Sequence, residues 1–336
     1  MDNLCHTLVG AALGKAGLQK RTPLATATLL IGANLPDVDV LAYAWDADTA
    51  LAFRRGWTHG VLALALWPFV LTGMMLAWDR LVRRPRRPLP LDTPPADPRG
   101  LLLLSTISIL SHPLLDWLNN YGMRWLMPFR DVWSYGDTLF IVDPWIWAAL
   151  TAGVVWSRYR FKRGGPRPER PARIALAAVS VYILALGASQ LAARAVVHDS
   201  LDSERIGRLM AGPLPATPFR RQVVAEAGNG YALGTVDWLR EPRYKEGDPA
   251  RVAVNADHPA VAAASRTREG AIFLHWARFP FFLVEERPGS TLVYMIDARY
   301  TLEPGEGFGR AVVEVPSPPA PLPQAGEGSK AKTSFR

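Results

Sequence analysis

The feature that most constrains this chain is the length and spacing of its apolar runs. Residues 61–78, 101–118, 139–156 and 174–197 are four long apolar stretches. A helix needs about 20 such residues to cross the hydrocarbon core of a bilayer. A spanning segment must satisfy its own backbone polar groups, which makes these stretches helices. Two shorter runs, 3–14 and 23–35, precede them. Neither is long enough to cross alone, and they read as a packed pair lying partly in the membrane. After Asp199 the character changes. Short β-rich segments at 251–255, 271–279, 291–300 and 311–315 alternate with Gly and Pro turns. The expected fold is mainly α: a polytopic helical membrane domain over 1–197 and a small β-rich domain over 198–315. A disordered tail rich in Pro, Gly, Ser and Lys is expected over 316–336.

The net charge of +8 does not point to nucleic acid. The excess sits beside apolar runs. Arg80, Arg83, Arg84, Arg86 and Arg87 follow one of them; Arg158, Arg160, Lys162, Arg163, Arg167, Arg170 and Arg173 separate two others. Cytoplasmic loops of membrane proteins carry this bias. Most of the tryptophans fall at or between span ends, as in an interfacial belt. Cys5 is the only cysteine, which excludes an intrachain disulfide and a cysteine zinc site. The first ten residues carry Asp2 and His6 and lack a basic start, so they read as mature structure and not as a signal peptide.

If the basic loops are cytoplasmic, several ionisable residues come out together on the outer side. His59 precedes the span 61–78, His112 and Asp116 end the span 101–118, and Asp143 opens the span 139–156. Asp37 and Asp39 follow an apolar run, and His6 joins them if the first helix enters the outer half of the membrane. Ionisable groups at a helix centre cost roughly 2.5–3.5 kcal/mol each on insertion scales, and they persist when paired, hydrated or bound to an ion. His112 and Asp116 stand at i and i+4, on one helix face. Asp37 and Asp39, one residue apart after Pro36, can point the same way in an extended segment. Imidazoles with carboxylates suit zinc, or manganese or iron, with one or two ions. The expected metal ligands are His6, Asp37, Asp39, His59, His112 and Asp116. Asp143 is expected to serve as ligand or proton acceptor, and Asp137 as a weaker candidate base. Each also has a plainer structural role: Asp143 as the cap of the helix opened by Pro144, the Asp37/Asp39 pair as a turn and cap. Arg124 and Arg130 either orient an anion or sit at headgroups.

These residues carry a family resemblance. Asp2-x-x-x-His6-Thr7, Asn34-Leu-Pro-Asp37-x-Asp39, Arg55-Gly56-x-Thr58-His59, His112-Pro-Leu-Leu-Asp116, Tyr121-Gly122 with Pro128-Phe129, and Asp143-Pro144 occur in order over residues 1–145. In these the chain resembles the YbcI/YdjM-type membrane-bound metal-dependent hydrolases of bacteria. The resemblance implies a helical, membrane-embedded fold and a hydrolase. The His-x-x-x-Asp element is also similar to that of zinc-dependent phospholipase C enzymes. Arg54 departs from the pattern, since members often carry a His before the Arg-Gly pair.

The expected function is hydrolysis by a metal-activated water, with a lipid or lipid-linked phosphoester as substrate and membrane lipids as partners. The expected location is the bacterial inner membrane, with the site and the C-terminal domain outside. Two rivals stand beside it: a metal or proton transporter, and a non-catalytic scaffold or regulator with a structural metal.

Overall fold

The computed structural model describes residues 1–86, 94–201 and 205–316. Arg87 and nearly all of the expected tail lie outside the described residues. The chain is mostly helical, with two antiparallel sheets in its C-terminal part.

Helix α1 (Asn3–Lys15) starts where the Asp2 carboxylate accepts from the Cys5 N–H, and α2 (Ala25–Gly32) packs back against it. A 3₁₀ segment, Leu35–Ala44, and a short helix α3 (Ala47–Phe53) follow. Helix α4 (Val61–Trp78) runs through a widened turn at Asp79–Arg83 into α5 (Arg84–Arg86). Helix α6 (Pro98–Trp117) begins with Pro at its first position and Asp97 accepting from the Arg99 and Gly100 N–H groups. It packs against both α2 and α4. The approach to α2 is close: a Cβ on Gly32 would collide with Ser108 Oγ. Helix α7 (Pro144–Lys162) packs on α8 (Arg170–Ser200) and on α1.

Three helices are long and apolar enough to cross a membrane by length and composition: Val61–Arg83, Pro98–Trp117 and Arg170–Ser200. In their most apolar windows only 28% of the first and 17% of the last is buried, so most of that apolar surface faces outward. Pro98–Trp117 is 56% buried and is the inner helix of the group. The expected fourth span, 139–156, is not among them. Residues 139–143 are not helical, and α7 meets Arg158, Arg160 and Lys162 before its end. That leaves too short an uncharged stretch for the hydrocarbon core.

Strands β1 (Ile206–Leu214), β2 (Thr217–Ala227), β3 (Gly230–Asp237) and β4 (Glu241–Ala253) form one antiparallel sheet in sequential order. Strands β5 (Pro280–Arg287), β6 (Ser290–Asp297) and β7 (Arg310–Pro316) form the other. Between them lie α9 (Pro259–Ala264) and α10 (Arg268–Trp276). Met210, Val224, Tyr231 and Leu233 of the first sheet share a buried cluster with Phe281 and Ile296 of the second. Residues 271–279, expected as a strand, lie mostly in α10. The Thr267 hydroxyl caps it at the Gly270 N–H, and Gly270, Phe273 and Trp276 form a buried face at helical spacing.

The helical part and the sheets are tied through buried arginines. Arg299 is ion-paired with Asp297 at 2.7 Å and donates to the carbonyls of Asn120 and Trp276. Arg221 donates to the carbonyls of Thr138 and Leu186, and Arg278 pairs with Asp137 at 2.8 Å. Removing one partner of a buried pair strands the other's charge, at a cost of about 3–5 kcal/mol. Arg299→Ala is therefore expected to lower the thermal unfolding midpoint of the detergent-purified protein sharply. Arg299→Lys is expected to restore little of it, since an ammonium lacks the planar fork.

Candidate metal centre

Four side chains from three parts of the chain converge: Asp37 from the 3₁₀ segment, His59 from the turn before α4, and His112 and Asp116 from α6. Each offers one ligand atom, and these atoms all lie within 4.8 Å of one another. All four residues are buried. The turn that delivers His59 needs Arg55 in the left-handed region (φ 51°) and closes with His59 N–H donating to the Gly56 carbonyl.

Hydrogen bonding orients both imidazoles. His112 Nδ1 lies 2.7 Å from the Ala33 carbonyl oxygen, an acceptor only, so Nδ1 carries a proton and Nε2 faces the cluster. His59 Nδ1 lies 2.9 Å from the Thr58 hydroxyl and 3.4 Å from Asp39 Oδ2, which turns its Nε2 inward as well. The two Nε2 atoms are 3.1 Å apart. Asp37 Oδ1 is 3.8 and 3.7 Å from them, and Asp116 Oδ2 is 3.5 Å from each. Asp37 Oδ1 and Asp116 Oδ2 are both buried without a hydrogen-bond partner. Two imidazole nitrogens and two carboxylate oxygens this close together form a group able to hold a metal ion. Two nitrogens with two oxygens is a donor set that suits zinc among other divalent metals.

The other expected ligands stand around this group. His6 stacks on His112 with ring centroids 3.8 Å apart and brings Nε2 to 3.2 Å from Asp116 Oδ1. The Met1 amino group also contacts Asp116 Oδ1. Asp39 diverges from Asp37, because the segment is a 3₁₀ helix with three residues per turn and not an extended chain. Its Oδ2 accepts from the Arg55 N–H and the Thr58 hydroxyl and faces His59 Nδ1, so it braces the imidazole. Such carboxylate–histidine contacts orient a ligand and raise its basicity.

Asp143 and Asp137 are not brought into the group. Asp143 caps α7, accepting from the Trp145 and Ile146 N–H groups and the Tyr182 hydroxyl. Asp137 holds Arg278 of the C-terminal part. Arg124 is buried and structural: it donates to the carbonyls of Ala52 and Arg54 and pairs with Asp131. Two site residues escaped the sequence reasoning. Arg55 Nε lies 3.2 Å from Asp116 Oδ2, and Arg54 lies 3.6 Å from Asp37 and 3.5 Å from Asp39. In the sequence Arg55 stands only as part of the family motif before Thr58-His59, and Arg54 as a departure from it.

Burial alone would raise the Asp37 carboxyl, but the facing His112 and His59 imidazoles outweigh it and hold it down at about 2. Burial pushes the His59 imidazole below its ordinary range, which leaves it neutral at neutral pH.

Comparison with known proteins now decides the family. The model of the YdjM inner membrane protein family matches residues 1–193, more than half of the chain. The chain belongs to the YdjM family. The matched region contains every residue of the metal group and the three apolar helices all but the end of the last. The uncharacterized protein YfhP of Bacillus subtilis (strain 168) is 24% identical over 242 residues, 67% of this chain and 64% of YfhP. The chain thus spans just under two thirds of that relative's length. No solved structure matches it.

The geometry makes three expectations measurable. Metal analysis by mass spectrometry should find about one equivalent of a divalent transition metal in the purified YdjM-family protein, as one four-atom group implies. His112→Ala/Asp116→Ala should abolish it, whereas Asp143→Ala should retain it. Asp39→Asn should weaken metal affinity by about 10–100-fold in a chelator competition titration, the usual cost of losing a bracing carboxylate. Acidification removes the imidazole lone pair that a metal needs. Metal occupancy should therefore fall as the pH is lowered, read by metal analysis across a pH series.

Proposed function

We propose that this YdjM-family protein is a metal-dependent hydrolase of the inner membrane acting on a lipid or lipid-linked phosphoester. The observation that carries the reading is the buried group Asp37, His59, His112 and Asp116, one member of which also borders an apolar groove. Asp37 lines a shallow cleft of about 480 Å³ together with Leu30, Ile31, Leu35 and Val38. Ile31 and Val38 are exposed on its flank. An amphipathic substrate can lay its apolar part there and present its ester to the group.

A divalent ion would be held by Asp37, His59, His112 and Asp116, and would supply Lewis acidity and acidify a water. The chain's own residues supply the remainder. Arg54, partly exposed beside Asp37 and Asp39, is placed to hold an anionic oxygen. Arg55 offsets the Asp116 charge. His6, hydrogen-bonded to Asp116 through Nε2, keeps a buried Nδ1 without a partner and can carry a proton away. The basic residues after α4 favour the cytoplasmic side for that end. On this reading α4 runs inward and α6 back outward, and the metal group, at the start of α4 and the end of α6, lies on the outer face.

One observation favours a second reading, a scaffold or regulator with a structural metal. Four protein ligands fill a tetrahedral site, whereas catalytic sites keep a position open. Asp37, at the groove, is the ligand placed to yield. Activity separates the two readings. Metal-loaded protein should release phosphorylated products from phospholipids or polyprenyl phosphates, and His112→Ala/Asp116→Ala should not. Intact lipids after incubation with fully metal-loaded wild type would discard the hydrolase and leave the structural site.

A further inference from the structure

Away from the metal group, helices α7 and α8 leave a groove of about 430 Å³ between them. Its floor is made of small residues: Ala152 and Gly153 from α7, Ala175 from α8. A Cβ on Gly153 would collide with the Ala175 Cβ, so the two backbones approach as closely as small side chains allow. Trp156 and Ile174 flank the floor, 59% and 58% exposed. At the end of the groove nearest the turn between the helices stand two cations. Arg160 lies in the last turn of α7, and Arg170 is the first residue of α8.

Neither cation is neutralised by the chain. Arg160 donates to the Pro166 carbonyl at 2.7 Å, and its Nε–H is buried without an acceptor. The Arg170 guanidinium has no hydrogen bond or ion pair among the described residues. From Arg158 to Arg173 the sequence carries seven basic residues and a single acid, Glu169. Glu169 does not line the groove and faces Lys20 at 3.9 Å. The start of α8 offers an anion little of its own. The Arg170 N–H donates to the Arg167 carbonyl, Pro171 has no N–H, and the Ala172 N–H donates to the Ser157 hydroxyl. An anion in this groove is therefore held by the two guanidinium groups.

The surroundings of the groove are apolar. Only 17% of the most apolar window of α8 is buried, and Val155, Val181 and Leu184 are exposed on the two helices. From Ala149 to Arg160, both in the lining, α7 advances about 16 Å. One leaflet of a hydrocarbon core about 30 Å thick has nearly that depth. Helix α7 lacks the uncharged length to cross a bilayer but has enough to line one leaflet. We propose that this groove binds an anionic glycerophospholipid, with one acyl chain over Ala152, Gly153 and Ala175 and the phosphate between Arg160 and Arg170. Arginine forks match phosphate oxygens in pairs, and basic pockets between membrane helices take anionic headgroups. A zwitterionic headgroup would bring an ammonium to a turn whose one acid already faces Lys20. The site makes no use of the metal centre and stands whether or not that centre is catalytic.

The test uses the full chain in an uncharged maltoside detergent. Phosphatidylglycerol and phosphatidylcholine with the same acyl chains are added in equal amounts, and retained lipid is read by native mass spectrometry. The wild type is expected to retain phosphatidylglycerol about tenfold over phosphatidylcholine. Arg160→Gln/Arg170→Gln should abolish the preference. Arg158→Gln/Lys162→Gln, which removes the same charge from the same turn outside the groove, should keep it. Ala152→Trp fills the groove without changing charge and should lower phosphatidylglycerol retention about tenfold. These positions are exposed or half-buried, so the variants are expected to fold, with unchanged thermal unfolding midpoints. Equal retention of the two lipids by the wild type would overturn the proposal. So would equal losses in the two charge variants, which would mean diffuse surface charge, or full retention by Ala152→Trp. Displacement of the lipid by soluble glycerol 3-phosphate would assign the arginines to a free phosphate compound. A lipid-free dimer broken by Ala152→Trp would assign the groove to a second copy of the chain; either result would overturn the lipid site.

Discussion

The structure depends on the burial of one carboxylate. Asp116 lies near the end of a helix apolar enough to cross a membrane and is fully buried. A charge in that position is tolerated only when other groups neutralise and hydrogen-bond it. The groups that face it come from three separate places: the Met1 amino group and His6 at the start of the chain, Arg55 and His59 from the turn before α4, and His112 one helical turn back. Each reaches Asp116 only if its own element is in place. The packing of α1, α2 and α4 around α6 and the assembly of the metal group are therefore the same event.

A second set of buried charges joins the helices to the sheets. Arg221 and Arg299 are among the largest fully buried side chains, and each donates to backbone carbonyls of the helical part. Two of those carbonyls, Asn120 and Thr138, lie in the non-helical stretch between α6 and α7. The arginine forks let an irregular segment be buried between the two parts of the chain. The same segment carries Tyr121, whose ring meets the Arg55 guanidinium and lines a cavity between the two parts of the chain.

Much of the site was legible before the structure. The i, i+4 pair His112/Asp116 follows from helical periodicity and the cost of charge in an apolar run. Asp37 and His59 follow from the topology set by the basic loops. What escaped was direction. Asp37 and Asp39 look equivalent in a two-residue repeat, yet a 3₁₀ turn sends one to the imidazoles and the other to the back of His59. His6, expected among the ligands if the first helix enters the outer half of the membrane, stacks on His112 beside the group. Asp143 and Asp137 lie close to the site in sequence, but their carboxylates are taken by a helix terminus and by Arg278.

Sequence alone determined the properties that arise from local period and composition: long apolar helices, the change to short strands after α8, and the residue types able to hold a metal. Those signals act over a few turns and need no partner to be read. Tertiary structure decided which carboxylate faces which imidazole, that α7 is not one of the long apolar helices, and that 271–279 is mostly helix. It also decided that the two halves enclose a cavity lined by Tyr121 from one and Trp276 and Phe308 from the other. Each of these depends on contacts between residues distant along the chain, and their geometry exists only once the helices and sheets have packed.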